Sequence, residues 1–297
     1  MEGVIAVLVT TVSVIDVLIE PYYLYVVIFK SPPPMAVYRR FLASISICSI
    51  IFCINMAILS PTFYIEDNMI CYKSENVSTV MGIIIFVIDV IMGSAQLQLN
   101  LILVLYASVQ LCNPHWLHPI DTTKGTLLII LLIMVPVGIS LPTMLFSRNF
   151  GRCLDMTLNL RLYIHLFFGI VMFAFYLALG SVAIFKIRQL TSTHLSKPSL
   201  NTIRLVRSVV RNYAFFIALV GACVVVPCTV ALLCTALPEE MVSAKKVVFD
   251  VSFLTIISYS AVSTMCSIVI FTPYRVYTVN LLLRIRSTVL SSLPQIR

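Results

Sequence analysis

Residues 251–275 read VSFLTIISYSAVSTMCSIVIFTPYR. No charge falls between Val251 and Thr272; Pro273, Tyr274 and Arg275 follow, and Arg284, Arg286 and Arg297 come after them. A run this long and apolar matches a membrane-crossing helix, which takes roughly 20 mostly apolar residues. Proline removes a backbone donor and favours a bend. At headgroup level Pro273 stops the helix and redirects the chain. Tyr274 suits the interface there, and Arg275 suits the lipid phosphates. Val276 to Leu290 then reads as a short amphipathic helix lying on the membrane, with Arg284 and Arg286 as its basic positions.

The rest of the chain has the same character. Of 297 residues, 60% are hydrophobic and only 11% charged, with a mean hydropathy of +1.04. A soluble domain carries about a quarter charged residues, so this chain is solvated by a bilayer. Seven apolar runs are long enough to span it, at about 4–28, 41–64, 79–107, 125–146, 162–185, 208–236 and 248–272. They are continuous runs rather than the alternating segments of barrel strands. The linkers are short and no internal repeat is visible. The expected fold is therefore all-α: one seven-helix membrane domain over 1–297, with an amphipathic tail over 273–297. Met1-Glu2-Gly3 offers no basic stretch ahead of the first run, and no small-residue cleavage site follows it. That run reads as a retained helix rather than a signal peptide.

Lysine and arginine set the orientation. The connections 29–40, 108–124, 186–211 and 273–297 hold 14 of the 20 basic residues. The alternate set holds Lys73, Arg148, Arg152, Arg161, Lys245 and Lys246. The bias places the N-terminus outside and the tail in the cytoplasm. The net charge of +8 is then a property of the cytoplasmic face, suited to anionic lipid and not to nucleic acid. Asn76-Val77-Ser78 is a glycosylation sequon on the expected outer side. Among nine cysteines, only Cys71 and Cys153 sit squarely in outer loops. An oxidising exterior would let them pair and tie the outer end of the third span to the second outer loop; the alternative is two unrelated thiols.

Acidic side chains inside a membrane are costly and face the bundle interior. Asp89, Gln96 and Asn100 are spaced 7 and 4 apart, so they share one helical face. Asp89 lies about 10 residues, roughly 15 Å, below the outer end of its span, a depth that suits a ligand pocket. An interhelical node or an ion site would use the same residues. Asp16 and Glu20 share a face of the first span and could hold it to a neighbour. Asp250 follows Lys246 by four residues, which suits a local ion pair. Pro227, six residues beyond Gly221, predicts a kink in the sixth span. Arg204, Arg207 and Arg211 line one face at its inner end, where they could meet acidic groups of a G-protein or lipid phosphates.

Two segments carry a family resemblance. Phe29 to Leu42 reads FKSPPPMAVYRRFL after the first span, and Pro273-Tyr274-Arg275 closes the seventh. Both resemble the nematode serpentine chemoreceptors of the Str superfamily, most nearly the class H group. In those receptors a Lys-x-Pro-x-x-Met segment forms the first inner loop and Pro-Tyr-Arg ends helix seven. The inner end of the third span, Leu105-Tyr106-Ala107-Ser108, departs from the Asp/Glu-Arg-Tyr of rhodopsin-like receptors. The resemblance implies a chemosensory G-protein-coupled receptor in the plasma membrane, in the ciliary membrane of chemosensory neurons. It implies an odorant or small metabolite bound from outside among helices three, five, six and seven, and a signal passed to a heterotrimeric G-protein. No metal, cofactor or catalytic residue is expected.

The rival readings are weaker. His165 is the only histidine in a span, whereas a membrane metal hydrolase needs several ligands. Ile88-Asp89 and Phe249-Asp250 lack the glycines of intramembrane aspartyl proteases. No lysine between Val247 and Thr272 could hold retinal. A secondary transporter or channel would show paired halves and interrupted helices. A non-coupling accessory membrane protein would share the composition seen here.

Overall fold

A computed structural model describes residues 2–59, 62–66, 69–73, 77–112, 122, 125, 127–132, 134, 135, 138, 153–155, 160–192, 200–235 and 241–292. Its helices are α1 (Glu2–Lys30), α2 (Ala36–Leu59), α3 (Thr79–Cys112), α4 (Leu160–Ser192), α5 (Leu200–Val220), α6 (Val226–Thr235), α7 (Val242–Ile270) and α8 (Thr272–Ser292). Six helical stretches among the described residues are long and apolar enough to cross a membrane: Val7–Lys30, Ala36–Leu59, Val80–Gln110, Ile170–Gln189, Ile203–Ala231 and Ser243–Ile270. Most of the fourth expected span, 125–146, lies outside the described residues, although Gly125 and residues 127–132 are helical.

The helices outrun the apolar runs that announced them. α4 continues through Lys186 and Arg188 to Ser192, because a helix can project into water while its backbone remains hydrogen-bonded. α2 ends at Leu59, before the expected 64. Pro61 follows, and proline cannot supply the next helical hydrogen bond. The chain then forms strands β1 (Thr62–Glu66) and β2 (Met69–Lys73), and a third strand, β3 (Cys153–Asp155), pairs with β2. The sheet is antiparallel in the order β1-β2-β3, so the all-α expectation gains a small sheet at the end of the bundle where α2 gives way to α3.

α1 packs on α2 and α7, α2 on α3, and α3 on α4 and α5; α6 also packs on α7, and α8 returns against α7 and α1. Large apolar side chains such as Leu18, Phe167 and Phe185 stay about 70% exposed. Apolar surface of that kind on so many helices suits lipid rather than water. Between α5 and α6, residues Gly221–Val225 form a π-helical turn in which the Val226 amide donates to the Gly221 carbonyl. The sixth span therefore carries its irregularity just ahead of Pro227, whose missing N–H leaves one helical bond unmade there. At Gly180 in α4, an added side chain would overlap the Tyr213 ring from α5. Tyr213 donates to the Tyr176 carbonyl at 2.9 Å, which fixes that close approach.

α7 ends two residues earlier than the position of Pro273 suggests. Phe271 is extended, at φ −80° and ψ 107°, and its carbonyl accepts from both Tyr274 and Arg275. Pro273 lies in the first turn of α8, where its missing N–H costs nothing. The tail helix starts at Thr272 rather than Val276. Asn280, Arg284, Ser287 and Thr288 share one side of it, and Arg286 interrupts the other.

Candidate functional site

Asp89, Gln96 and Asn100 in α3 are all buried, so the face they share turns into the bundle. They do not form one bonded group. Asn55 in α2 donates its Nδ2 to Asp89 Oδ1 at 2.8 Å. Asn100 turns its Nδ2 back on the Gln96 carbonyl of its own helix, at 2.9 Å. The other Asp89 oxygen, Oδ2, is buried with no hydrogen-bond partner among the described residues. A carboxylate bonded on one side only retains an acceptor for an incoming donor or cation. Asn55 went unnoticed in the sequence, where its signal was an amide inside the apolar run CINMAIL.

A second buried pair lies in α1. Asp16 and Glu20 are 0% exposed, as is Ser13 one turn earlier. Glu20 accepts from Ser46 of α2 through Oε2 and from Thr264 of α7 through Oε1. Asp16 accepts from the Cys53 thiol of α2. These bonds join three helices, which is the holding role expected of this face. The sequence did not announce Ser46, Cys53 or Thr264 as its partners.

Where α1 ends and α8 begins, the two family-like segments meet. Ser31 and Tyr274 share a hydrogen bond at 2.8 Å, and Tyr23 meets Tyr274 edge-on at 6.1 Å between ring centres. Tyr22 donates to Thr278 at 2.8 Å, and the Lys30 ammonium lies over the Tyr277 ring at 5.1 Å. Tyr274 is therefore not an interfacial residue: it is fully buried between α1 and α8. The helix break at Phe271 points it inward, while Arg275 stays exposed. Burial pushes the Tyr274 phenol up to about 12, against the opposing Ser31 hydrogen bond and Arg39 charge.

The basic face of α5 divides. Arg204, Arg207 and Arg211 are all exposed, and Arg211 donates to the Ile270 carbonyl at 2.7 Å. That carbonyl is in the last turn of α7, where helical acceptors have no partner in the helix and a cation suits the dipole. The described residues hold no cluster of three or more histidine, cysteine or acidic side chains placed to bind a metal. Cys71 stands opposite Cys153 in the β2–β3 register. Asn76 lies outside the described residues.

The first three long apolar helices and the segment after α1 fall within one match. Residues 6–152 match the serpentine type 7TM GPCR chemoreceptor Str family. The Str match covers α1 to α3, β1 and β2, just under half of the chain, and stops short of Pro273-Tyr274-Arg275. With six long apolar helices, it supports a multi-pass transmembrane chemoreceptor of the G-protein-coupled type, and the Str family is a receptor family rather than an enzymatic one. A search of curated proteins finds no match.

Proposed function

We propose that this protein is a chemosensory receptor of the Str superfamily, most like its nematode class H group. Its N-terminus is outside, its fourth span lies in the 125–146 region and completes a set of seven, and its tail is cytoplasmic. It takes up an odorant or small metabolite from outside and signals to a heterotrimeric G-protein, in the ciliary membrane of chemosensory neurons. The Str match over residues 6–152 carries this reading, and the half-bonded Asp89 supports a polar contact within the bundle. Ligand binding shifts the population of bundle conformations. The π-turn at Gly221–Val225 suits a hinge, and release of Arg211 from Ile270 would free the inner end of α5 to join Arg204 and Arg207 against the G-protein.

The register that sets Cys71 opposite Cys153 supports a disulfide between them, and Asn76 is the proposed glycan site. Expression in chemosensory cells with a calcium reporter, screened against odorants and pheromone-like metabolites, tests the proposal. Calcium transients that require the receptor are expected. In the same cells an N-terminal tag should be labelled without permeabilisation and a tag after Arg297 only with it; the reverse labelling contradicts the reading.

A further inference from the structure

The seam between the end of α1 and the start of α8 gathers cations without acids. Lys30 is exposed and is the last residue of the first long apolar helix, the level at which lipid headgroups lie. Its ammonium is 5.7 Å from the centre of the Tyr25 ring in α1 and 5.1 Å from that of Tyr277 in α8. The two ring centres are 6.4 Å apart, so the three groups form one cluster. Arg284 lies two turns beyond Tyr277 on the same face of α8, and its charge reaches the Tyr277 phenol. Arg39, at the start of α2, donates through Nη1 to the Ile28 carbonyl at 3.3 Å, two residues before Lys30. Its charge reaches Tyr274, one turn before Tyr277. No aspartate or glutamate occurs between Pro21 and Ile65 or between Val251 and Arg297. None of the segments that form the seam therefore carries a counter-charge.

Contact with two rings holds an ammonium in place without neutralising it. Lys30 has three N–H donors, and Arg39 spends one of its five on Ile28. We propose that Lys30 and Arg284, flanked by Arg39, bind the phosphate groups of an anionic phospholipid at the α1–α8 seam. Guanidinium and ammonium groups suit phosphate oxygens, and basic residues at the membrane surface attract anionic lipid. The surface beside them is apolar. Tyr25 and Phe29 are 42% and 68% exposed, with ring centres 5.4 Å apart. An acyl chain can lie along these rings, whereas a soluble phosphate gains nothing from them, so the occupant is a lipid. The headgroup bridges α1 and α8 over the seam that the Tyr22–Thr278 and Ser31–Tyr274 bonds already close.

The test uses the purified full-length protein in dodecyl maltoside, titrated with dioctanoyl phosphatidylinositol bisphosphate and followed by microscale thermophoresis. Saturable binding is expected, and dioctanoyl phosphatidylcholine, which has no net charge, should not compete. Lys30→Gln and Arg284→Gln should each raise Kd about fivefold, or roughly 1 kcal/mol. Arg286→Gln should leave Kd unchanged, because Arg286 lies on the other side of α8. If Lys30→Gln does not fold, the contrast between Arg284→Gln and Arg286→Gln decides. Inositol trisphosphate, a headgroup without chains, should bind more weakly than the lipid. Equal affinity for the two overturns the proposal and leaves a site for soluble phosphate. No saturable binding, competition by phosphatidylcholine, or equal losses in Arg284→Gln and Arg286→Gln also overturns it.

Discussion

Two carboxylates buried in helices that both pack on α2 are treated differently. Glu20 of α1 receives hydroxyls from α2 and α7 on both oxygens. Asp89 of α3 receives one amide from α2 and keeps Oδ2 without a partner among the described residues. Both groups are buried to within a few per cent of full burial, so burial does not separate them. The count and origin of their donors does. A carboxylate saturated by donors from two other helices is a joint, and changing it should loosen the bundle. One bonded on a single side retains capacity for a further donor, and changing it should be felt by whatever approaches.

The largest effect expected from this contrast is at Glu20. Glu20→Ala leaves the Ser46 and Thr264 hydroxyls without their acceptor and cuts the ties from α1 to α2 and α7. Interhelical hydrogen bonds in membrane proteins average about 0.6 kcal/mol and reach about 1.7, so the two bonds predict a loss of roughly 1–3 kcal/mol. Thermal unfolding in nanodiscs should show it as a lower Tm, with surface expression falling in parallel. An unchanged Tm would remove the joint reading.

Asn55→Ala should cost less, about 1 kcal/mol, because it removes one bond from Asp89. A double-mutant cycle with Asp89→Ala isolates that bond. Coupling near zero would mean that the 2.8 Å contact contributes nothing to stability.

Tyr274→Phe should be milder still, near 0.6 kcal/mol, since the ring stays packed and only the Ser31 bond is lost. The contact should also have a defined pH range. Burial raises the Tyr274 phenol from an ordinary 10.0 to about 12, so the neutral form is favoured on folding. Its stabilisation is complete below pH 10 and is lost as pH rises from 10 to about 12. Stability curves of wild type and Tyr274→Phe should run parallel below pH 10 and converge above it; convergence already near neutral pH would count against a buried neutral phenol.

The sequence made the joints harder to read than the spans. Long uncharged runs mark helices because a bilayer demands them, and they located six helices to within several residues. The acids were legible as inward-facing, since charge in lipid is costly. Their donors were not. Serine and threonine in an apolar helix can bond their own backbone, as Thr11, Thr229, Thr255 and Ser258 do. Ser46 and Thr264 look the same in the sequence yet reach across to Glu20. Only helix packing decides between the two. The sheet did leave a trace: Thr62 to Lys73 reads TFYIEDNMICYK, two β-rich halves about Asp67-Asn68, a hairpin signal. Its first residues extended the apolar run of the second span and were absorbed into it. The meeting of the Phe29–Leu42 and Pro273–Arg275 segments could not be read from spacing, because the contact closes 243 residues of chain between Ser31 and Tyr274.

The most direct test of the contrast is Asp89→Asn, measured for surface expression and for the agonist concentration giving half-maximal calcium response. The asparagine side-chain oxygen can still accept from Asn55, so the local bond is kept and only the charge is removed. With a cationic agonist, surface expression should stay near wild type while the half-maximal concentration rises at least tenfold, about 1.4 kcal/mol. Reduced expression with an unchanged half-maximal concentration would contradict the account and make Asp89 a joint like Glu20.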